Sequence, residues 1–158
     1  MFRVTRRYRF AASHRLHCAQ LSDDENQRLY GKCNNPYGHG HNYEVEVSAR
    51  GPLDASGRAV DAERLDELVK RQVLEPFGHR NLNADVSCFA RVAPTSENLA
   101  VEICRRLQEN WSRAFPGEWP KLDRVRVAET ARNIFEVKPF EVKPFEVKRF
   151  QVKAHEIE

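Results

Sequence analysis

The sequence predicts an α+β domain whose elements follow in the order strand, strand, helix, helix, strand, strand. Two long segments in the first third of the chain alternate apolar and polar residues, which is the period of a half-buried strand. Two later segments carry apolar residues at helical spacing, and two further alternating segments follow them. At 158 residues, the chain fits one domain that is large enough to bury a core without disulfide bonds.

The first strand is predicted over residues 2–14. Continued alternation places His14 on its apolar face, where the strand ends. A histidine in this position is commonly a hydrogen-bonded core residue, and the alternative is a ligand. The apolar face carries Phe2, Val4, Tyr8, Phe10 and Ala12, and the polar face carries Arg3, Arg7 and Arg9. Residues 18–36 are polar and rich in turn formers, so we expect a long loop in which the acidic cluster 23–25 is solvated surface.

The second strand is predicted from His39 to the turn at residues 51–52. Residues two apart in a strand share a face, so His39 and His41 can aim at one point, as a metal ion requires. With His14 they give three imidazoles and no obvious fourth protein ligand, which is typical of a catalytic zinc site with an open position. Zinc suits imidazole ligands best, and copper, nickel and iron are also compatible. Cys33 is a candidate base in this site, provided that a nearby cation keeps it as a thiolate.

Two helices are predicted in the middle of the chain. The first runs from an N-cap at Asp61 to about Leu74, before helix breakers at 76 and 78. The second opens at residues 94–97, where Thr95 or Ser96 can cap it, and ends before the proline and glycine residues at 116–120. His79 follows the first helix directly, which fits either a polar surface residue or a site residue.

Strands over residues 122–129 and 133–137 complete the domain. Glu129 falls on the apolar face at the end of the third strand, where a carboxylate is costly unless it is paired. It is therefore either part of a structural ion pair or the anchor of a cationic or donor-rich ligand.

Composition excludes several classes of protein. The net charge of +3 and the sequence pI near 8.7 suit a small anionic substrate as well as nucleic acid and do not decide between them. The sequence has no compact basic run with interleaved aromatic residues, which disfavours nucleic-acid binding. The N-terminus lacks the apolar run of a signal peptide, and no segment is long and apolar enough to span a membrane. The four cysteines are scattered, so we expect reduced thiols and a cytoplasmic protein.

Residues 138–158 differ in character from the rest of the chain. The pentapeptide Phe-Glu-Val-Lys-Pro at 135–139 recurs at 140–144 and, with changes, at 145–149 and 150–154. In a strand, a five-residue repeat would place equivalent side chains of successive copies on opposite faces, and in a helix it would place them at successively different positions around the axis. We therefore expect an appendage outside the core, and His155 within it is not expected to bind metal.

The chain resembles the 6-pyruvoyl-tetrahydropterin synthase family, which includes the 6-carboxytetrahydropterin synthases of the queuosine pathway. The resemblance covers residues 2 to about 137, so residues 1–137 are expected to form the pterin synthase domain. The matching segments are Ala-Ser-His-Arg-Leu-His (12–17), Gly-Lys-Cys-Asn-Asn-Pro-Tyr-Gly-His-Gly-His-Asn-Tyr (31–43), His-Arg-Asn-Leu (79–82), Pro-Thr-Ser-Glu-Asn (94–98) and Val-Ala-Glu-Thr (127–130).

The resemblance implies the tunnelling fold (T-fold), in which a four-stranded antiparallel sheet has two helices on one face. It also implies that three subunits close a barrel, that two trimers form a homohexamer, and that the active sites lie between subunits. The implied substrate is 7,8-dihydroneopterin triphosphate, which loses triphosphate to give 6-pyruvoyl-tetrahydropterin for tetrahydrobiopterin biosynthesis. No redox cofactor is needed for this reaction.

The resemblance also implies a role for each site residue. The zinc ligands fall on His14, His39 and His41. The catalytic cysteine falls on Cys33 and the catalytic histidine on His79. Glu129 matches the glutamate that anchors the pterin, and Thr95, Ser96 and Glu97 match a segment that lines the pterin pocket.

One position departs from the family pattern. The family usually has aspartate immediately before its catalytic histidine, where this chain has Gly78. Such a carboxylate orients the imidazole and stabilises its charged form. Three functions therefore stay open. The first is the pyruvoyl-forming lyase, which the five residues between Cys33 and His39 favour, and the second is the carboxy-forming relative, which releases acetaldehyde and triphosphate from the same substrate. The third is a zinc- and pterin-binding protein with weak or no catalysis, which Gly78 favours.

Overall fold

The structure, a computed structural model, describes residues 1–139 and contains one four-stranded antiparallel sheet in the order β1-β2-β3-β4. The strands are β1 (Phe2–His14), β2 (His39–Gly51), β3 (Lys121–Ala128) and β4 (Ile134–Val137). β1 and β2 pair along their whole length, and the last pair of this ladder is His14 with His39. The sheet therefore places the end of β1 beside the start of β2, where the sequence predicted a metal site.

The two long helical segments cover one face of the sheet, which confirms the predicted α+β fold. The first begins at α2 (Ala62–Val69), and the second is α5 (Ser96–Ala114). Asp61 and Thr95 cap these two helices, as predicted. Between the helices and the sheet lies one apolar core, whose fully buried members include Val45, Val47, Leu65, Val69, Val73, Leu99, Ile103, Leu107, Val125 and Val127.

The expected long loop over residues 18–36 is wrong, because part of this segment is helical. It contains α1 (Asp23–Tyr30) and a 3-10 turn, Gly31–Asn34. Ser22 and Glu25 form a capping box, in which each side chain accepts a hydrogen bond from the backbone N–H of the other. The acidic residues 23–25 are thus the first turn of a helix, where negative charge interacts favourably with the helix dipole.

The first long helical segment also extends past its predicted end at Leu74. After α2 the chain makes a π-helical turn, Lys70–Leu74, and continues into the short α3 (Glu75–Phe77). Within the π-turn the Glu75 N–H donates to the carbonyl of Lys70, five residues earlier, as in a π-helix. The hydrogen-bond pattern of the α-helix is therefore already interrupted before Pro76, which has no N–H to donate. Another short helix, α4 (Leu82–Asp85), and a 3-10 turn, Ser87–Ala90, lie between α3 and α5.

The other face of the sheet carries opposite charges on neighbouring strands. These pairs include Arg7–Glu46 and Arg9–Glu44 between β1 and β2, Arg126–Glu46 between β2 and β3, and Arg124–Glu136 between β3 and β4. This face therefore carries mainly charged and polar side chains, and the apolar core lies on the face that α2 and α5 cover.

Within residues 1–139, no helix is long and apolar enough to cross a membrane. The predicted appendage over 138–158 lies, from residue 140 onward, outside the described residues. The division of the chain at residue 137 therefore stays a prediction.

Candidate metal centre and active site

Three histidine side chains meet at the junction of β1 and β2. The Nε2 atoms of His14, His39 and His41 are 3.1 to 3.2 Å from one another. Zinc bonds to imidazole nitrogen are about 2.0–2.1 Å, and tetrahedral angles then require nitrogens separated by about 3.3–3.4 Å. The three nitrogens are thus spaced almost as three ligands of a tetrahedral zinc site need to be. The residues present fit the metal that the sequence predicted.

His14 is held in the orientation and the tautomer that a metal ligand requires. Its ring is fully buried, and its Nδ1–H donates to the Pro94 carbonyl at 2.9 Å. With the proton on Nδ1, the lone pair of Nε2 faces the other two histidines. The Tyr43 hydroxyl lies 3.2 Å from the same Nδ1 and adds a second contact behind the ring. Burial also lowers the pKa of His14, so the neutral form that binds metal is favoured.

Glu129 reaches the same centre from the end of β3. One of its carboxylate oxygens lies 3.3 Å from Nε2 of His41 and 3.7 Å from Nε2 of His14. Burial lowers the pKa of His41, and the Glu129 charge partly opposes that effect. The predicted inward position of this carboxylate is therefore observed, beside the histidines.

Cys33 joins the histidine cluster from the 3-10 turn that follows α1. Its Sγ and the ligand nitrogens of the three histidines all lie within 4.8 Å of one another. The Leu16 N–H donates to the Cys33 carbonyl at 2.7 Å and ties this turn to the end of β1. Burial, followed by the nearby Glu129 charge, raises the pKa of the Cys33 thiol. A thiolate at this position needs a cation beside it, and a metal held by the histidines would supply one.

His79 lies at the outer edge of β1 and does not belong to the group that Cys33 forms with the three histidines. The His79 N–H donates to the Ala11 carbonyl at 2.7 Å, which holds this segment against β1. His79 lines one cleft together with Glu129 and a second cleft together with His41. It therefore lies near residues of the metal centre but outside the group that contains the thiol.

Gly78 fits its position because the backbone of the preceding helical segment passes close to it. A Cβ atom at residue 78 would lie 2.5 Å from the carbonyl oxygen of Leu74, which also accepts the Gly78 N–H at 2.8 Å. Contacts under 3.0 Å are essentially absent for real Cβ atoms, so any side chain here requires the backbone to move. The family's aspartate therefore cannot be restored at residue 78 without a local rearrangement.

We expect Gly78→Ala to destabilise the fold by about 1–3 kcal/mol, the usual cost of forcing an extra carbon into a packed site. The measurement is urea unfolding followed by circular dichroism. Gly40→Ala is the matched control, because a Cβ at residue 40 would meet only the Ala12 carbonyl at 3.8 Å. Equal stability of the two variants would show that the contact at residue 78 is relieved at no cost.

The segment Thr95–Glu97 begins α5 and does not join the residues around Glu129 and His79 in the same chain. Thr95 Oγ1 accepts from the Asn98 N–H at 3.2 Å as the helix cap, Ser96 is buried, and Glu97 is exposed. The Pro94 carbonyl just before the helix does reach the metal centre. Sequence reasoning missed this contact, because a backbone carbonyl leaves no signal in the residue type.

Comparison with known proteins matches nearly the whole described chain to one family. Residues 3–139 match the family model described as 6-pyruvoyl tetrahydropterin synthase. A 6-pyruvoyl tetrahydrobiopterin synthase from Poecilia reticulata is 46% identical over 132 residues, which is 83% of this chain and 86% of that protein. The solved structure of 6-pyruvoyl tetrahydropterin synthase from Caenorhabditis elegans is similar with a TM-score of 0.78 at 39% identity, covering 87% of this chain and 94% of that one.

Similarity to a carboxy-forming relative is weaker. A protein from Archaeoglobus fulgidus, provisionally named a 6-carboxy-5,6,7,8-tetrahydropterin synthase, is 32% identical over 100 residues. The match covers 63% of this chain and 75% of that protein.

Proposed function

Because the chain belongs to the 6-pyruvoyl tetrahydropterin synthase family, we propose that it is a zinc-dependent lyase that converts 7,8-dihydroneopterin triphosphate to 6-pyruvoyl-tetrahydropterin and triphosphate. The observation that carries this proposal is the set of three Nε2 atoms at tetrahedral spacing beside a cysteine thiol. Acyl or phosphoryl transfer would need a different arrangement of nucleophile and anion-binding groups. A thiol beside three histidines that would hold a metal ion suits proton transfer at a carbon whose hydroxyl the metal would polarise.

His14, His39 and His41 would hold the zinc ion. When bound, zinc polarises the side-chain hydroxyl oxygens of the substrate as a Lewis acid. Cys33 removes and returns protons at the carbons that carry these hydroxyls, and its place beside the histidines puts the thiol within reach of those carbons.

Glu129 would bind the pterin ring. The aminopyrimidine edge offers two parallel donors, which a carboxylate accepts as it does a guanidinium. The carboxylate lies next to His41, so the anchored ring would have its side chain at the metal centre. The pterin pocket would be completed by Thr95, Ser96 and Glu97, which one chain does not place beside Glu129.

We also propose that the active form is a homohexamer built from two trimeric barrels of the T-fold. His79 lies outside the group of Cys33 and the three histidines, and we infer that a second copy supplies the histidine that works with Cys33 on one substrate. The charged face of the sheet would line the inside of the barrel, which agrees with its lack of an apolar surface. Together the chains would form sites to which different subunits contribute Cys33, His79 and the segment Thr95–Glu97.

Two other functions remain as alternatives. The carboxy-forming reaction uses the same substrate, and the lower identity to the carboxy-forming relative disfavours it. Gly78 favours a zinc- and pterin-binding protein with weak catalysis, because glycine gives His79 no neighbouring carboxylate. Among residues 1–139, the histidines in contact with a carboxylate are His14 and His41, and both contact Glu129. No carboxylate of the described chain supports His79.

Product analysis decides between these functions. Zinc-loaded protein is incubated with 7,8-dihydroneopterin triphosphate, and the products are identified by mass spectrometry. We expect 6-pyruvoyl-tetrahydropterin and triphosphate. Acetaldehyde with a carboxypterin would support the carboxy-forming reaction, and the absence of triphosphate release at any enzyme concentration would support a binding protein.

A further inference from the structure

An arginine beside the metal centre lacks a carboxylate partner. Arg15 follows His14 directly at the end of β1 and is partly buried. Other partly buried arginines pair with carboxylates, as Arg126 does with Glu46 at 2.6 Å. Across residues 1–139, no carboxylate oxygen lies within 4.0 Å of the Arg15 guanidinium, whereas most arginines on the sheet have one. A partly desolvated cation without a counter-ion is costly, so this position favours an anionic ligand.

Arg15 is held in one place by two asparagines. Its backbone N–H donates to Asn83 Oδ1 at 2.7 Å, and the Asn83 amide donates back to the Arg15 carbonyl at 2.9 Å. Its Nε donates to the Asn34 carbonyl at 3.3 Å, and one of its two terminal nitrogens lies 3.4 Å from His17 Nδ1, so the other terminal nitrogen is available to another acceptor. Asn34 is buried and follows Cys33 directly, so Arg15 is attached to the turn that carries the thiol.

His17 lies beside Arg15. Its Nδ1 lies 3.0 Å from the Asn34 side-chain oxygen and 3.4 Å from a terminal nitrogen of Arg15. Both side chains line a groove of about 390 Å³, which we call the Arg15–His17 groove. Its remaining walls are the amides of Asn81 and Asn83 and the turn at 36–38, and its lining contains no carboxylate.

The Arg15–His17 groove begins one residue away from two of the three histidines. Arg15 follows His14, and Gly38 precedes His39. These two backbones are in contact, since a Cβ on Gly38 would lie 2.8 Å from the His14 carbonyl oxygen. In the proposed substrate, the carbon that bears the phosphate ester is the direct neighbour of a hydroxyl-bearing carbon held at the metal. The triphosphate must therefore leave the metal centre into a space next to these residues.

We propose that the Arg15–His17 groove binds the triphosphate of the substrate and stabilises it as the leaving group. The inference rests on the proposed function and adds its anion site. In the elimination the C3′–O bond breaks and its electron pair leaves with the triphosphate, while a proton is lost from the adjacent C2′ carbon. Arg15 offers planar, permanently charged donors that match phosphate oxygens in pairs.

Calorimetric titration with inorganic tripolyphosphate tests the groove without requiring turnover. Zinc-loaded wild type is compared with Arg15→Gln and with the control variant Arg58→Gln. The control removes an exposed guanidinium in the segment that follows β2, where Arg58 Nε donates to Ser56 Oγ. We expect Arg15→Gln to weaken tripolyphosphate binding about tenfold or more, the usual loss for a charge-assisted hydrogen bond. Arg58→Gln should stay within about twofold of wild type, because exposed charges contribute little. Equal binding by the two variants would overturn the proposal.

Three further measurements separate the proposal from its alternatives. Arg15→Lys keeps the charge and should recover part of the tripolyphosphate binding. If Arg15→Lys loses as much tripolyphosphate binding as Arg15→Gln and its zinc content also falls, Arg15 has a structural role instead. ATP should bind no more tightly than tripolyphosphate, and tighter ATP binding would assign the groove to a nucleotide. If wild type forms no product but binds tripolyphosphate through Arg15, the anion site stands and the proposed reaction fails. If product forms and Arg15→Gln leaves KM unchanged, the reaction stands and the groove fails.

Discussion

Replacing His39 with alanine is expected to remove zinc from the protein and to abolish turnover. The three Nε2 atoms are within 3.2 Å of each other, and loss of one leaves two ligands, which is too few for a stable zinc site in a protein. Loss of an outer hydrogen-bond partner alone costs about 10–100-fold in metal affinity, so loss of a ligand should exceed 100-fold. Metal content after dialysis and competition with a chelator measure this change. His39 is preferred over His14 for the test because it is only partly buried, and its truncation should spare the core.

His79→Ala is the matched control for this experiment. It also removes an imidazole, but His79 is not a member of the group formed by the three histidines and Cys33. We expect it to keep a full complement of zinc while turnover falls. Full zinc content in His39→Ala, or equal zinc loss in both variants, would place the metal elsewhere.

The meeting of the three histidines was predictable from the sequence because it depends on strand periodicity. His14 ends one alternating segment, and His39 and His41 begin the next, so each side chain could be placed on the apolar face. The register that sets His14 opposite His39 could not be predicted, because periodicity within a strand does not tell which residue of a neighbouring strand it meets. The rest of the cluster follows from that register.

Helix α1 was missed for the opposite reason. Its one buried residue is Asn26, which bonds to the Cys18 backbone through both its oxygen and its nitrogen, so no apolar stripe marks it. The capping box of Ser22 and Glu25 was present in the sequence and was the available signal. Because the 3-10 turn that carries Cys33 follows this helix directly, a polar segment that looked like loop positions the thiol.

Residues around His79 show where sequence reasoning ends. The resemblance implied that Cys33 and His79 act together, but the order of the motifs contains no information on whether one chain brings the two side chains together. The backbone approach that accounts for Gly78 likewise involves a carbonyl of the preceding turn and no side chain. Both features arise from tertiary geometry, and both bear on how the site is completed.

Replacing Cys33 with alanine is expected to lower turnover by about 10²–10⁴-fold, the usual contribution of a positioned acid–base group. Zinc content should be unchanged, because the three histidines hold the metal without the thiol. The readouts are product formation with saturating substrate and metal content of the same sample. Zinc loss comparable to that of His39→Ala would show that Cys33 acts chiefly as a ligand.

Mixing Cys33→Ala with His79→Ala subunits tests how the site is shared. If each site takes Cys33 from one chain and His79 from another, random assembly at equal amounts gives two intact residues at about a quarter of the sites. Activity should then return to about that fraction of wild type after the two variants are co-expressed or dissociated and reassembled together. If both residues acted within one chain, every site would lack one of them and mixing would restore nothing. Recovery would thus agree with the observation that His79 lies outside the group that Cys33 forms with the three histidines.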